Sequence, residues 1–163
     1  PTRGLMGYTS RFLTLTKGTG VINRIFHGYG KFEGEMDGRK NGALISMSTG
    51  KAVAFAIFNL QARGEMFVTH NDPVYEGMIV GLTPKPGDMI INVMKGKQLT
   101  NMRTQGTDEN VVLTPVRQMS IAEQLSMLNT DEALEITPKS LRLRKAILNP
   151  HDRKRSEKSG NAA

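Results

Sequence analysis

The fold turns on Ala52-Val-Ala-Phe-Ala-Ile-Phe-Asn-Leu-Gln-Ala-Arg63. Val53, Ala56, Ile57 and Leu60 recur at three- and four-residue steps and share one helical face, with Phe55 and Phe58 on its flanks. A helix that is apolar on most sides at its start belongs inside a core. Gly64 follows as the expected C′ residue. Around this helix the chain reads as short strands: Ala43–Met47 before it, then Met66–Thr69, Val74–Leu82 and Met89–Val93 after it. Turn residues separate them at Ser48-Thr-Gly50, His70-Asn-Asp-Pro73 and Thr83-Pro-Lys-Pro-Gly-Asp88. A core helix among short strands predicts a mixed α+β domain.

Beyond Val93 the pattern stops. Lys95-Gly-Lys-Gln-Leu-Thr-Asn-Met-Arg-Thr-Gln-Gly-Thr-Asp-Glu-Asn110 has neither the period of a buried helix nor that of a half-buried strand. Loops this long inside a domain are usually functional or disordered. Its cations (Lys95, Lys97, Arg103) and its amides and hydroxyls (Gln98, Thr100, Asn101) suit phosphate, sugar and base edges. The competing reading is a plain solvated loop.

After the loop, Val111–Val116 reads as a strand. Ser120-Ile-Ala-Glu123 is a capping box opening a short helix with Ile121, Leu125 and Leu128 expected inward. Leu134-Glu-Ile136 and Leu141-Arg-Leu-Arg144 alternate with period two about Thr137-Pro-Lys-Ser140, which predicts a hairpin. If Leu141 and Leu143 point inward, Arg142 and Arg144 share the outer face. With Lys139 and Lys145 they form a basic stripe, the electrostatic footprint of a nucleic-acid binder. A solvated strand face is the alternative. Asn149-Pro-His-Asp152 reads as the cap and first turn of a charged helix, with disorder expected beyond Ser156.

Upstream, Leu5, Tyr8, Phe12 and Leu15 mark a helix closed by Lys17-Gly18, and Val21–Phe26 reads as a strand. One helix and one strand cannot bury each other's apolar faces, so residues 1–36 read as an incomplete domain. Residues 37–150 form the α+β domain, and 151–163 a basic, partly disordered tail. The chain opens on Pro rather than Met, so a fragment or processed product is expected.

Charge is unevenly placed. Residues 1–138 hold 14 Lys/Arg against 13 Asp/Glu, whereas 139–163 hold 8 against 2. A cationic end on a nearly neutral body suits a polyanionic partner or a solubilising tail. No cysteine is present, which excludes disulfides and thiolate chemistry and fits a reducing cytosol. The longest apolar run, Ala52–Phe58, is too short to span a bilayer. His27, His70 and His151 are scattered without ligand spacing, so no metal site is expected.

Several segments carry a family resemblance: Arg3-Gly-Leu-Met-Gly-Tyr8, Phe26-His-Gly-Tyr-Gly30, Phe58-Asn-Leu-Gln-Ala-Arg-Gly64, Val74-Tyr-Glu-Gly-Met-Ile-Val-Gly81, Lys97-Gln-Leu-Thr-Asn-Met-Arg103 and Glu135-Ile-Thr-Pro-Lys-Ser-Leu-Arg-Leu-Arg-Lys145. In this order they resemble the C-terminal region of the BipA/TypA family of bacterial translational GTPases. The first thirty residues also resemble the last helix and strand of the ferredoxin-like domain near the C-terminus of elongation factor G. The resemblance implies half of a ferredoxin-like domain followed by a family-specific α+β domain with a long basic loop. It implies a cytoplasmic protein whose partners are the ribosome, chiefly large-subunit rRNA and A-site tRNA, and the parent's N-terminal domains, with no membrane role. Lys95, Lys97, Gln98, Thr100, Asn101, Arg103, Lys139, Arg142, Arg144 and Lys145 are the residues expected to touch RNA. Such a family hydrolyses GTP, but this chain lacks the Gly-x-x-x-x-Gly-Lys-Ser/Thr phosphate cradle. Ser48-Thr-Gly-Lys51 has neither the earlier glycine nor the hydroxyl that holds Mg²⁺. No catalysis and no cofactor are therefore expected in this chain, GTP and Mg²⁺ belonging to the remainder of the parent. The alternative function is a protein-interaction module docking on the parent's other domains or on a ribosomal protein, its tail only solubilising.

Overall fold

Two strands made wholly of buried residues need cover on both faces, and the architecture follows from that requirement. The computed structural model describes residues 2–5, 8–32, 34, 39–96 and 112–160. Strands β1 (Ala43–Ser46), β2 (Gly50–Lys51), helix α2 (Ala54–Gln61), β3 (Glu65–Met66), β4 (Pro73–Val74), β5 (Ile79–Leu82) and β6 (Met89–Ile91) succeed one another. A helix α1 (Tyr8–Leu15) precedes them; α3 (Ile121–Ser126), β7 (Glu132–Ile136), β8 (Leu141–Lys145) and α4 (Pro150–Gly160) follow. The main sheet has the order β3-β5-β1-β6, with β1 antiparallel to β5 and parallel to β6.

Alternation along the central strands sorts their side chains between two cores. Leu44 and Val80 join Ile57 of α2, Met66, Val74, Ile91 and Val93 on one face. Ala43, Ile45 and Ile79 join Leu143 on the other, with Met119, Leu128 and Leu134 packed against them. The sheet therefore lies between α2 and the β7–β8 hairpin. This explains why its strands read as continuous apolar runs rather than alternating ones.

The core helix forms as expected but starts later. The Ala52 and Val53 amides are already committed to the Asp72 and Val93 carbonyls, and the Ala54 amide donates to His70 Nδ1 at 3.2 Å. Val53, extended at φ −107°, offers no side-chain cap, so a histidine sixteen residues on supplies the acceptor. Gly64 is required by proximity rather than by a left-handed backbone: a Cβ there would collide with the Leu82 carbonyl. The run Val74–Leu82 is broken between β4 and β5 by a turn at residues 75–78, with Gly77 at φ +81°.

Four expectations are corrected. Val21–Phe26 forms no strand; Val21, Ile25 and Phe26 are 79%, 93% and 73% exposed, and these residues pair with no described strand. Residues 112–116 of the expected strand Val111–Val116 join no ladder. Instead the Gln61 amide clasps Thr114, donating to its carbonyl at 3.1 Å and accepting from its N–H at 3.2 Å. The Ser120–Glu123 capping box is present, yet α3 buries Gln124 and leaves Ile121 and Leu125 about half exposed. Its orientation is fixed by Met119 and Leu128 at its two ends, which pack into the second core. Finally, helix α4 runs past Ser156 to Gly160, capped by Asn149 Oδ1, which accepts from the His151 amide at 2.8 Å. Among the described residues no helix is long and apolar enough to cross a membrane.

Candidate nucleic-acid interface

The hairpin that carries the basic stripe is fixed at both ends. At its turn the Thr137 amide donates to the Ser140 carbonyl at 2.9 Å, and Thr137 Oγ1 accepts from the Ser140 amide at 3.0 Å. At its base the Lys145 amide donates to the Gly77 carbonyl at 2.9 Å, joining β8 to the main sheet. Leu143 is buried, as the alternation required, so Arg142 and Arg144 emerge together on the outer face.

They do not emerge alone. Register places Glu135 opposite Arg142 and diagonal to Arg144. Its carboxylate lies 3.4 Å from Arg142 Nη1 and 4.0 Å from Arg144 Nε. Tyr75, from the turn before β5, donates its hydroxyl to Glu135 Oε2 at 2.7 Å. Burial, then the hydrogen bond and the charge of Glu135, push the Tyr75 phenol up to about 12, so it remains a donor at any physiological pH. All three charged side chains stay about one-third exposed and within reach of a ligand. Lys139 sits exposed in the turn, and with Arg142 and Arg117 it lines a cleft between the hairpin and residues 116–124.

Lys145 leaves the stripe. Alternation sends it inward, where its side chain is 2% exposed among Asp88, Asp131 and Glu132, at 2.5, 2.7 and 3.0 Å. Glu132, itself fully buried, also pairs through both oxygens with Arg39 at 2.8 and 3.2 Å. Burial alone would depress the Lys145 pKa, but hydrogen bonds to three carboxylates outweigh it and the net direction is up. Asp88 mirrors this: burial opposes its ionisation, while bonds from Lys145 and the Ala43 amide bring its pKa below the ordinary value. Lys145 is thus a buried ion that ties β8 to the residues opening β6 and β7, and its ammonium does not join the exposed face of Arg142 and Arg144.

Of the loop residues, Lys97, Gln98, Thr100, Asn101 and Arg103 lie outside the described residues. Lys95 lines a second cleft with Asn59 of α2, Arg63 just beyond the end of that helix, and Asn92. That cleft lies on the α2 side of the sheet and shares no residue with the cleft of Lys139 and Arg142. The structure therefore joins Arg142 to Arg144 through Glu135, places Lys139 in the same cleft as Arg142, and puts Lys95 in a different cleft.

The hairpin, its Glu135–Arg142–Arg144 face and the sheet beneath fall within residues 41–150, which match the family model of the TypA/BipA C-terminal domain. The chain belongs to that family. It is 48% identical over 96% of its length to the large ribosomal subunit assembly factor BipA of Buchnera aphidicola subsp. Schizaphis graminum. It is 46% identical over 97% to the protein of that name from Salmonella typhimurium, and 42% identical over 98% to that from Haemophilus influenzae. The chain spans about a quarter (26%) of the length of each.

In this TypA/BipA C-terminal domain, sequence reasoning missed three residues of the site. Glu135 was legible, since the hairpin register that places the arginines outside also places Glu135 beside them. Tyr75 was not, being 60 residues away on another element. Arg117 stands in an irregular segment that offers no period to assign its direction.

Proposed function

We propose that this chain is the ribosome-binding C-terminal part of a BipA-type translational GTPase, and that its share of the work is binding rather than catalysis. The observation that carries the reading is the pair Arg142 and Arg144 on the outer face of a hairpin anchored in the core, with Lys139 exposed in its turn. Guanidinium groups held on a rigid element recognise phosphate with little ordering cost. The names of the relatives, large ribosomal subunit assembly factors, support the large subunit as the partner. Within it, large-subunit rRNA supplies phosphates to the hairpin. The loop residues Lys95, Lys97, Gln98, Thr100, Asn101 and Arg103 contact rRNA and the acceptor end of A-site tRNA through base and sugar edges. GTP and Mg²⁺ act in the remainder of the parent, and the site of action is the cytoplasm.

Residues 1–36 are, on this reading, the end of an elongation-factor-type ferredoxin-like domain. The exposure of Val21, Ile25, Phe26, Tyr29 and Phe32, each above 70%, favours docking of this segment on the parent's other half-domain. That docking accompanies RNA binding and does not replace it.

Co-sedimentation of the chain with purified large subunits tests the proposal. Binding should be retained and should fall when Gln98 and Asn101 are both replaced by Ala. Equal binding to subunits and to a mixture of their extracted proteins would instead favour the interaction-module reading.

A further inference from the structure

Resting on that reading, we propose that Glu135 is the specificity-determining residue of the basic face. Its carboxylate occupies the place between Arg142 and Arg144 that an RNA phosphate takes on binding, and it yields only to RNA that engages both arginines.

The geometry carries this. A carboxylate and a phosphate present the same kind of oxygen acceptor to a guanidinium, so Glu135 is a chemical stand-in for the ligand. Its contacts are single and long, 3.4 Å to Arg142 and 4.0 Å to Arg144, where a committed pair would be short and bidentate. Ion pairs this exposed are weak and exchangeable. What holds the carboxylate in position is Tyr75, at 2.7 Å, and Tyr75 packs against the α2-side core. The counter-ion is therefore placed by the interior of the domain, not merely by its own strand.

The consequence is discrimination. A disordered single strand, whose phosphates do not hold the arginine spacing, engages one guanidinium at a time and gains little, because one anion is exchanged for another and the displaced carboxylate still repels it. A folded rRNA surface that presents two phosphates at the arginine spacing exchanges one carboxylate for two phosphates. Specificity is a difference of affinities, and a resident repulsive group raises it by penalising the weaker ligand more.

The test uses the full chain, with Glu135→Gln as the isosteric variant that removes the charge and keeps an acceptor for Tyr75. Affinities for poly(U) and for purified large subunits are measured at fixed salt. We expect poly(U) binding to rise roughly two- to five-fold and subunit binding to rise clearly less, so that selectivity shrinks. Equal gains for both would make Glu135 a generic charge, and losses for both would make it a structural support; either outcome overturns the inference. Tyr75→Phe keeps the charge while releasing it, and should give a smaller gain on poly(U) than Glu135→Gln. An equal gain would assign the effect to the hydrogen bond and also overturn it. The double variant Arg142→Gln/Arg144→Gln separates the two levels. If it binds subunits like the parent chain, the RNA reading of this face fails and the inference with it. If it binds weakly while Glu135→Gln leaves selectivity unchanged, the inference fails alone.

Discussion

Arg144 and Lys145 stand side by side on β8, and alternation sends one to the surface and the other among Asp88, Asp131 and Glu132. Their substitutions should therefore fail in different assays. Lys145→Met removes one of two cations facing the buried Glu132, and breaking a buried pair costs about 3–5 kcal/mol. Because Arg39 remains, we expect a destabilisation of about 3 kcal/mol in denaturant unfolding, with the salt dependence of RNA binding unchanged. Weakened RNA binding at unchanged stability would return Lys145 to the interface. The same cluster sets a pH window. The Asp88 pKa is lowered, so its contribution is present above the ordinary carboxylate pKa of about 4 and disappears as pH falls through the lowered value. The Lys145 pKa is raised, so its contribution is present below about 10.4 and disappears as pH rises through the raised value. Unfolding midpoints measured against pH should be flat for this cluster from about pH 5 to 9 and fall on both sides. In Lys145→Met the alkaline fall should vanish. Gln124 is a smaller case: its Oε1 is buried without a partner among the described residues, so Gln124→Met should raise stability by about 1 kcal/mol.

At the scale of elements, the segment after the loop shows how a side chain can replace a strand. Gln61 on α2 makes two hydrogen bonds to the Thr114 backbone, and Leu113 packs on the first core. Gln61→Leu should cost about 1–2 kcal/mol and should speed amide exchange at Thr114 without affecting the β7–β8 hairpin. Unchanged exchange at Thr114 would show that Leu113 alone holds the segment. Elements whose sequence carried their own period were legible: the core helix, the central strands, the hairpin and the capping box of α3. Elements that depend on a partner distant in sequence were not. Val111–Val116 has strand propensity, but its described residues 112–116 pair with no strand and are held by Gln61 instead. Lys145 looks like the last member of a basic stripe until Asp88, 57 positions earlier, is placed beside it. Composition records charge, while only packing decides which charges face water.

For the whole molecule, the two sides of the main sheet divide the work. The α2 side holds the larger core, and the opposite side carries the hairpin whose outer surface is the basic face. Residues 19–32 pair with no described strand and expose Ile25, Phe26, Tyr29 and Phe32. Limited proteolysis should therefore cut within residues 19–32 and leave a folded fragment with an unfolding midpoint close to that of the full chain. A large drop in the fragment's midpoint would show that residues 1–32 stabilise the domain after all. The proposed function rests on the other surface, where Arg142 and Arg144 are the groups that would neutralise RNA phosphates. The decisive measurement is affinity for purified large subunits from low to moderate salt. Arg142→Gln/Arg144→Gln should weaken binding and flatten log affinity against log salt by up to about 0.7–0.9 for each phosphate left without its arginine. A double variant whose slope and affinity both match those of the parent chain would show that the two arginines do not bind RNA.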